Sequence, residues 1–157
     1  MRIITYTDRY KEQIIELILN IQNNEAKIGL SLDEQPDLKD INRYYTSTGG
    51  AFWLVVENDR VIGTIGLIMR ENSCAILKKF FVAAEYRGRG IGLKLYLRLL
   101  GFAKDNSVRH IILDTPSVAK TSHRFYESAG FYKTERVRLP IDYTYPDRES
   151  LLYILDL

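Results

Sequence analysis

Arg87-Gly88-Arg89-Gly90-Ile91-Gly92 joins the end of one apolar run, Ile76 to Val82, to the start of a longer periodic one, Ile91 to Ala103. That succession reads as a strand, a tight glycine turn and the N-terminus of a helix. The first amides of a helix lack partners within it, and the helix dipole adds positive potential there, so a phosphate or pyrophosphate suits the place. Glycine lets the backbone approach an anion that a side chain would hold away. Arg87 and Arg89 add charge-assisted donors. A phosphate-bearing ligand is therefore expected on the backbone from Gly88 to Gly92.

Outward from this turn, the chain alternates between the two hydrophobic periods. Upstream, Ile3 to Thr5 reads as a short strand. Ile14, Leu17, Ile18 and Ile21 recur at helical spacing, which predicts a helix from Asp8 to about Asn23. Glu25 to Gln35 reads as a loop. Pro36 opens a second short helix with Leu38, Ile41 and Tyr45 on one side, since proline at a first helical position forfeits no helical hydrogen bond. Ala51–Glu57 and Val61–Met69 are β-rich and separated by Asn58-Asp59-Arg60, a hairpin signal. Cys74–Val82 completes an antiparallel meander.

Downstream, the helix after the glycine turn carries Ile91, Leu95, Leu99 and Phe102 as one stripe, widened by Leu93, Tyr96, Leu97 and Leu100. That much apolar surface implies burial on more than one side. His110–Asp114 reads as a buried strand, and Thr115-Pro116-Ser117 as a turn into a helix that Gly130 ends. Phe131–Leu139 and Leu151–Leu157 read as final strands around a loop, Pro140–Arg148. The fold class is α/β with one mixed sheet covered by helices. Its ligand is expected where the third meander strand enters the glycine turn, beside His110–Asp114. A dinucleotide fold is disfavoured, because its glycine fingerprint belongs to an early βαβ unit rather than to the end of a meander.

Chain-wide properties narrow the function. A length of 157 residues fits a single domain, residues 1–157. No apolar run approaches the ~18 residues of a membrane span. The N-terminus lacks a signal-peptide core, so a cytoplasmic location is expected. The formal charge of +2 is spread among alternating acids and bases, which disfavours a nucleic-acid partner. His110 and His123 have no partner at metal-ligand spacing, so no metal is expected. Cys74, the single cysteine, reads as a small buried hydrophobe.

Two motifs together carry a resemblance. Arg87, Gly90 and Gly92 stand where the GNAT (Gcn5-related N-acetyltransferase) superfamily has its pyrophosphate signature of Gln or Arg, two residues, Gly, one residue, and Gly or Ala. Tyr126-Glu127-Ser128-Ala129-Gly130-Phe131 matches a second family signature. The element order agrees over essentially the whole chain. The segment from Asn23 through Gln35, the start of the second helix and Ser122-His123-Arg124-Phe125-Tyr126 further resemble a bacterial, small-molecule-type group of that family.

The resemblance implies a mostly antiparallel sheet flanked by helices. Its strands at Cys74–Val82 and His110–Asp114 should splay apart around acetyl-coenzyme A, the cosubstrate. It implies that the backbone of Phe80, Phe81 and Val82 holds the pantetheine arm, and that Arg87, Gly88, Arg89, Gly90, Ile91 and Gly92 hold the pyrophosphate. Thr115, Ser117, Ser122 and Phe125 are further coenzyme candidates, and Lys120 and Arg124 are candidates for its terminal phosphate. Ordinary helix capping explains Ser117 equally well.

The implied reaction is direct acetyl transfer to a primary amine, without a covalent enzyme intermediate. Attack on a thioester needs a neutral amine, a polarised carbonyl and a proton for the departing thiolate. Tyr126 matches the family's proton donor, and a phenol with a pKa of about 10 is protonated near neutrality. The backbone N–H of Phe81 or Val82 is the candidate donor to the carbonyl.

The base is less determined. Ile76 occupies the place of the glutamate that many family members carry. Glu25 and Asp37 are the remaining acidic candidates, with cap, surface or substrate-contact roles open to each, and water is an alternative. Lys78 and Lys79 read as solvated, or as neighbours of an acidic acceptor or a coenzyme phosphate. Gln22, Glu25, Gln35, Asp37, Tyr143 and Tyr145 are candidates to line a pocket for a small cationic acceptor. A small-molecule amine is the expected partner. A protein lysine or N-terminus and a noncatalytic acetyl-coenzyme A sensor stay open, and a homodimer is a family-based expectation.

Overall fold

The computed structural model describes residues 1–144 and 149–157. Seven strands form one mixed sheet in the order β1-β2-β3-β4-β5-β7-β6. They are β1 (Arg2–Thr5), β2 (Ala51–Glu57), β3 (Arg60–Met69), β4 (Cys74–Val82), β5 (His110–Pro116), β6 (Tyr132–Thr134) and β7 (Ser150–Asp156). Every neighbouring pair is antiparallel except β4 with β5. The β2–β3 hairpin turns through Asn58 and Asp59, both left-handed at φ 49° and 64°. Such a two-residue turn matches the right-handed twist of the flanking strands.

Helices α1 (Lys11–Leu19), α2 (Pro36–Lys39) and α3 (Ile41–Tyr44) precede β2. Helix α4 (Ile91–Asp105) joins β4 to β5, and α5 (Lys120–Ser128) joins β5 to β6. Strand alternation sends inward residues to two separate cores. Trp53, Leu67, Leu77, Leu95, Leu99 and Ile111 pack on the α4–α5 face. Ile14, Ile18, Leu38, Ile41, Tyr45, Phe52 and Leu54 pack on the α1–α3 face. Beyond α1–α3 that same side continues as Cys74, Ile76, Ile112, Ile141 and Tyr143. Cys74 is fully buried, and burial pushes its thiol pKa up.

Several boundaries differ from the sequence reading. The first helical segment begins as a 3-10 turn at Asp8–Tyr10 and ends as a π-helical turn, Asn20–Glu25, beyond the expected stop at Asn23. The second helix is two helices, because Asp40 leaves helical geometry (φ −151°, ψ 76°) and its carboxylate accepts from the Arg43 amide. The expected strand Phe131–Leu139 shrinks to β6, followed by a 3-10 turn at Arg136–Arg138. Helix α5 begins at Lys120 rather than directly after Ser117. Among the described residues, no helix is long and apolar enough to cross a membrane.

Candidate active site

Strands β4 and β5 pair only through Cys74–His110, Ala75–Ile111 and Ile76–Ile112. Past that point β4 continues against β3 and β5 continues against β7, so the middle of the sheet opens. Alternate amides and carbonyls of β4 from Leu77 to Val82 face this opening, since an antiparallel strand bonds each neighbour with alternate residues. A bulge interrupts the alternation. Thr64 opposes Phe81 and Gly66 opposes Lys78, leaving Lys79 and Phe80 across from Ile65 alone. Lys79 adopts φ 56° there, a left-handed conformation that costs a non-glycine residue ~1–2 kcal/mol. The hydroxyl of buried Thr64 holds it by donating to the Lys79 carbonyl at 2.7 Å.

At the end of β4 the glycine turn has the geometry of an anion cradle. Gly88 and Gly90 are left-handed (φ 77° and 78°), and a Cβ built on either meets nothing within 4 Å. Gly90 is the N-cap of α4, and no side chain caps that helix, so its first amides are open to a ligand. Gly92 lies under the Phe80 ring, with 3.6 Å between that ring and a Cβ built on the glycine. Arg87 Nε donates to the Val82 carbonyl at 3.0 Å, and its Nη1 lies 2.8 Å from Glu25 Oε1. Arg89 rests over the Tyr86 ring, 5.1 Å from its centroid. The open amides and the two guanidiniums thus lie around one turn. Glu25, expected at the acceptor side, has its carboxylate on Arg87 instead.

On the α4–α5 face, Phe80 bridges the opening to Phe125 (centroids 5.4 Å apart) and Tyr126 (6.4 Å). Tyr126 is buried, and its hydroxyl makes no hydrogen bond among the described residues. Burial, then Asp114 and Tyr96, push its pKa well above the ordinary phenol value. The motif around it has a local cause. Phe131 N donates to Tyr126 O at 3.0 Å and Gly130 N to Glu127 O at 3.1 Å, the paired bonds of a Schellman helix end. Gly130 takes φ 99°, and the Phe131 ring packs on Tyr126 with centroids 5.6 Å apart. Glu127 accepts from the Tyr153 hydroxyl of β7 at 2.6 Å. These contacts fix the end of α5 that carries the tyrosine.

The opposite face is polar and brings together Gln22, Gln35, Asp37 and Tyr143 of the sequence reading, whereas the burial of Lys79 and the presence of Asp114 escaped it. Lys79 Nζ donates to Gln35 Oε1 at 2.8 Å and lies 3.6 Å from Asp37 Oδ2, with only 9% of its side chain exposed. Gln35 exchanges hydrogen bonds with Gln22 at 2.9 and 2.8 Å. Tyr45 donates to Asp37 Oδ2 at 2.6 Å. Burial lowers the Lys79 pKa against the opposing pull of Asp37. Across the opening, Asp114 of β5 accepts from the Tyr143 hydroxyl, and its charge acts on both Tyr126 and Lys79. Lys79 is therefore not solvated, and Asp114 joins the site.

The remaining candidates are placed less centrally. Phe81 packs on the α1–α3 core, and Val82 on the α4–α5 core. Thr115 is buried opposite Leu151 in the sheet. The Ser117 amide donates to Glu149 O at 3.0 Å, and Ala119, not Ser117, is the N-cap of α5, with no side-chain cap. Ser122 lies half-buried in the first turn of α5, and Lys120 and Arg124 are exposed on that helix. Tyr145 lies outside the described residues.

A sheet opened between two parallel strands, with a glycine-led helix at the opening and a buried tyrosine above it, defines the acyl-coenzyme A transferase class of fold. The chain belongs to the Acetyltransferase (GNAT) family, whose sequence profile matches residues 15–131. A GNAT-family acetyltransferase structure from Staphylococcus aureus Mu50 is 38% identical with a TM-score of 0.95, covering 99% of this chain and 98% of that one. An acetyltransferase from Streptococcus agalactiae is 40% identical with a TM-score of 0.94 over the same shares. N-acetylaspartate synthetase of Danio rerio is 36% identical over 112 residues, or 70% of this chain and 39% of that relative. The chain thus spans well under half the length of that curated relative.

Proposed function

We propose that the protein is an acetyl-coenzyme A-dependent N-acetyltransferase acting on the primary amine of a small molecule. The observation that carries this reading is the parting of β4 and β5 after Ile76 and Ile112, with buried Tyr126 in ring contact with Phe80 of β4. The glycine turn at the end of β4 supports the coenzyme half. Its amides and Arg87 would hold the pyrophosphate, and the free edge of β4 from Phe80 to Val82 would hold the pantetheine amides. The fish relative is an N-acetylaspartate synthetase, named for an acetylated amino acid, which supports a small-molecule acceptor.

In this reading the amine nitrogen attacks the thioester carbon directly. A backbone N–H of Phe81 or Val82 stabilises the carbonyl oxygen as charge develops on it. The carbon–sulfur bond breaks, and Tyr126 gives its proton to the departing sulfur. The proton lost by the amine passes to Asp114, to Asp37 or to water, with both carboxylates on the acceptor side of the opening. Glu25 acts on the coenzyme half as the counter-ion of Arg87. The test is incubation of the protein with acetyl-coenzyme A and an amine library, scored by product mass. An increase of one acetyl group on a primary amine is the expected result, and acetylation confined to protein lysines would replace the small-molecule assignment.

A further inference from the structure

We propose that Lys79 is the anchor for an anionic group of the acceptor, so that the molecule acetylated is an amine that also bears a carboxylate. The inference rests on the acetyltransferase reading above and names its substrate class. Its starting point is an ammonium in an unusual position. A bulge turns Lys79 out of strand alternation, and the left-handed residue sends its side chain to the same side of the sheet as Asp37, Gln35 and Tyr45. That side chain is nine-tenths buried, where an ammonium needs an anion or several acceptors around it.

The partners present answer this charge only in part. Gln35 offers one neutral oxygen. Its orientation is fixed, because its Nε2 donates to both Gln22 Oε1 and the Ser31 carbonyl, at 2.8 and 3.2 Å. The Gln35 oxygen must then face Lys79, and Lys79 must be the donor. Asp37 is nearest through an oxygen 3.6 Å away that already accepts from Tyr45 at 2.6 Å. An ammonium has three donors, so this geometry leaves it room for another acceptor. Burial, with Lys78 beside it, outweighs Asp37 and Asp114 in lowering the lysine pKa, so the carboxylates nearby offset only part of the ammonium's desolvation.

The direction of the missing partner follows from the two walls. Lys79 feels Asp37 from α2 and Asp114 from β5, the residues that border the opening on this side. An acceptor entering there meets the buried Lys79 ammonium, with Lys78 beside it, and two carboxylates. A zwitterion satisfies both signs, its carboxylate on Lys79 and its amine drawn towards Asp114, whose charge also reaches Tyr126. A simple alkylamine would answer only the acids.

The test compares amino acids with their primary amides as acceptors, alongside an amine library containing members with and without a carboxylate. Acids should be preferred over their amides by about tenfold or more in kcat/KM, as expected for a charge-assisted hydrogen bond. Lys79→Met should collapse that preference through KM, and Lys79→Arg should restore part of it. Calorimetry of acetyl-coenzyme A binding to each variant reports whether it is folded. Equal losses for acid and amide in Lys79→Met, or a loss in kcat with KM intact, would overturn the anchor and leave a structural or proton-handling lysine. Acetylation confined to carboxylate-free amines would overturn the anchor while upholding the enzyme. Absence of acetylation on every amine would overturn both.

Discussion

Tyr126 holds its proton because of where it sits. Burial, Asp114 and Tyr96 all disfavour the phenolate, so the hydroxyl remains a donor well past the ordinary phenol pKa of about 10. Tyr126→Phe keeps the ring packing on Phe131 and removes only the proton. We expect kcat to fall by about 10²-fold or more, with the acetyl-coenzyme A dissociation constant within about twofold of the parent's. We also expect no alkaline decline in turnover attributable to Tyr126 below about pH 10. Steady-state kinetics across pH, paired with calorimetry, would check both, and an unchanged kcat in a chemistry-limited enzyme would remove Tyr126 from the proton transfer. This residue was legible in the sequence because its setting is local: helix, left-handed glycine and following aromatic lie within six positions. Lys79 was not. Its orientation depends on a bulge that no spacing encodes, and its partner Gln35 is 44 residues away.

At the scale of elements, the π-helical turn Asn20–Glu25 would serve both halves of the proposed site. Gln22 joins Gln35 and Lys79 on the proposed acceptor side, while Glu25 pairs with Arg87 at the glycine turn. Removing the Glu25 charge takes a negative group away from the proposed anion-binding turn. Glu25→Gln should therefore tighten acetyl-coenzyme A binding by about two- to fivefold at low ionic strength, and less at high salt, because the pair is partly exposed. Calorimetry in two salt concentrations measures this. A raised acceptor KM with unchanged coenzyme affinity would return Glu25 to the acceptor side.

A second contact links sheet and site. A Cβ on Gly66 would lie 2.5 Å from Tyr45 and 2.8 Å from Phe52, so Gly66→Ala should cost ~1–3 kcal/mol in a urea melt. By displacing Tyr45 from Asp37 it should also raise the acceptor KM. Hydrophobic period located most elements well, since each long run faces a core. It failed where no core decides. Val137 belongs to a strand-like run yet is 89% exposed in a 3-10 turn. It also missed the break at Asp40, where the backbone leaves helical geometry although the stripe continues into the core through Ile41 and Tyr45.

For the whole molecule, the two substrates of the proposed reaction would occupy opposite sides of one opening in the sheet. The coenzyme would lie along β4 towards α4, and the amine would enter from α2 and the side of Tyr143. That division follows from topology, because the parallel β4–β5 pair stops after three residues and two separate cores cover the two faces. The element order and glycine turn point to the proposed coenzyme half from the chain alone. The proposed acceptor half draws on the π-helical turn, α2, β4, β5 and Tyr143, and only folding brings these together. A rival concavity exists, a groove of about 610 Å³ between α4 and the β1 side of the sheet, lined by Ile3, Trp53, Leu97 and Phe102. A crystal structure of the protein with coenzyme A discriminates between the two places. The account predicts pyrophosphate oxygens on the amides of Gly88 to Gly92, the pantetheine along Phe80 to Val82, and the sulfur beside the Tyr126 hydroxyl. Coenzyme bound in the α4–β1 groove, or with its sulfur away from Tyr126, would contradict it.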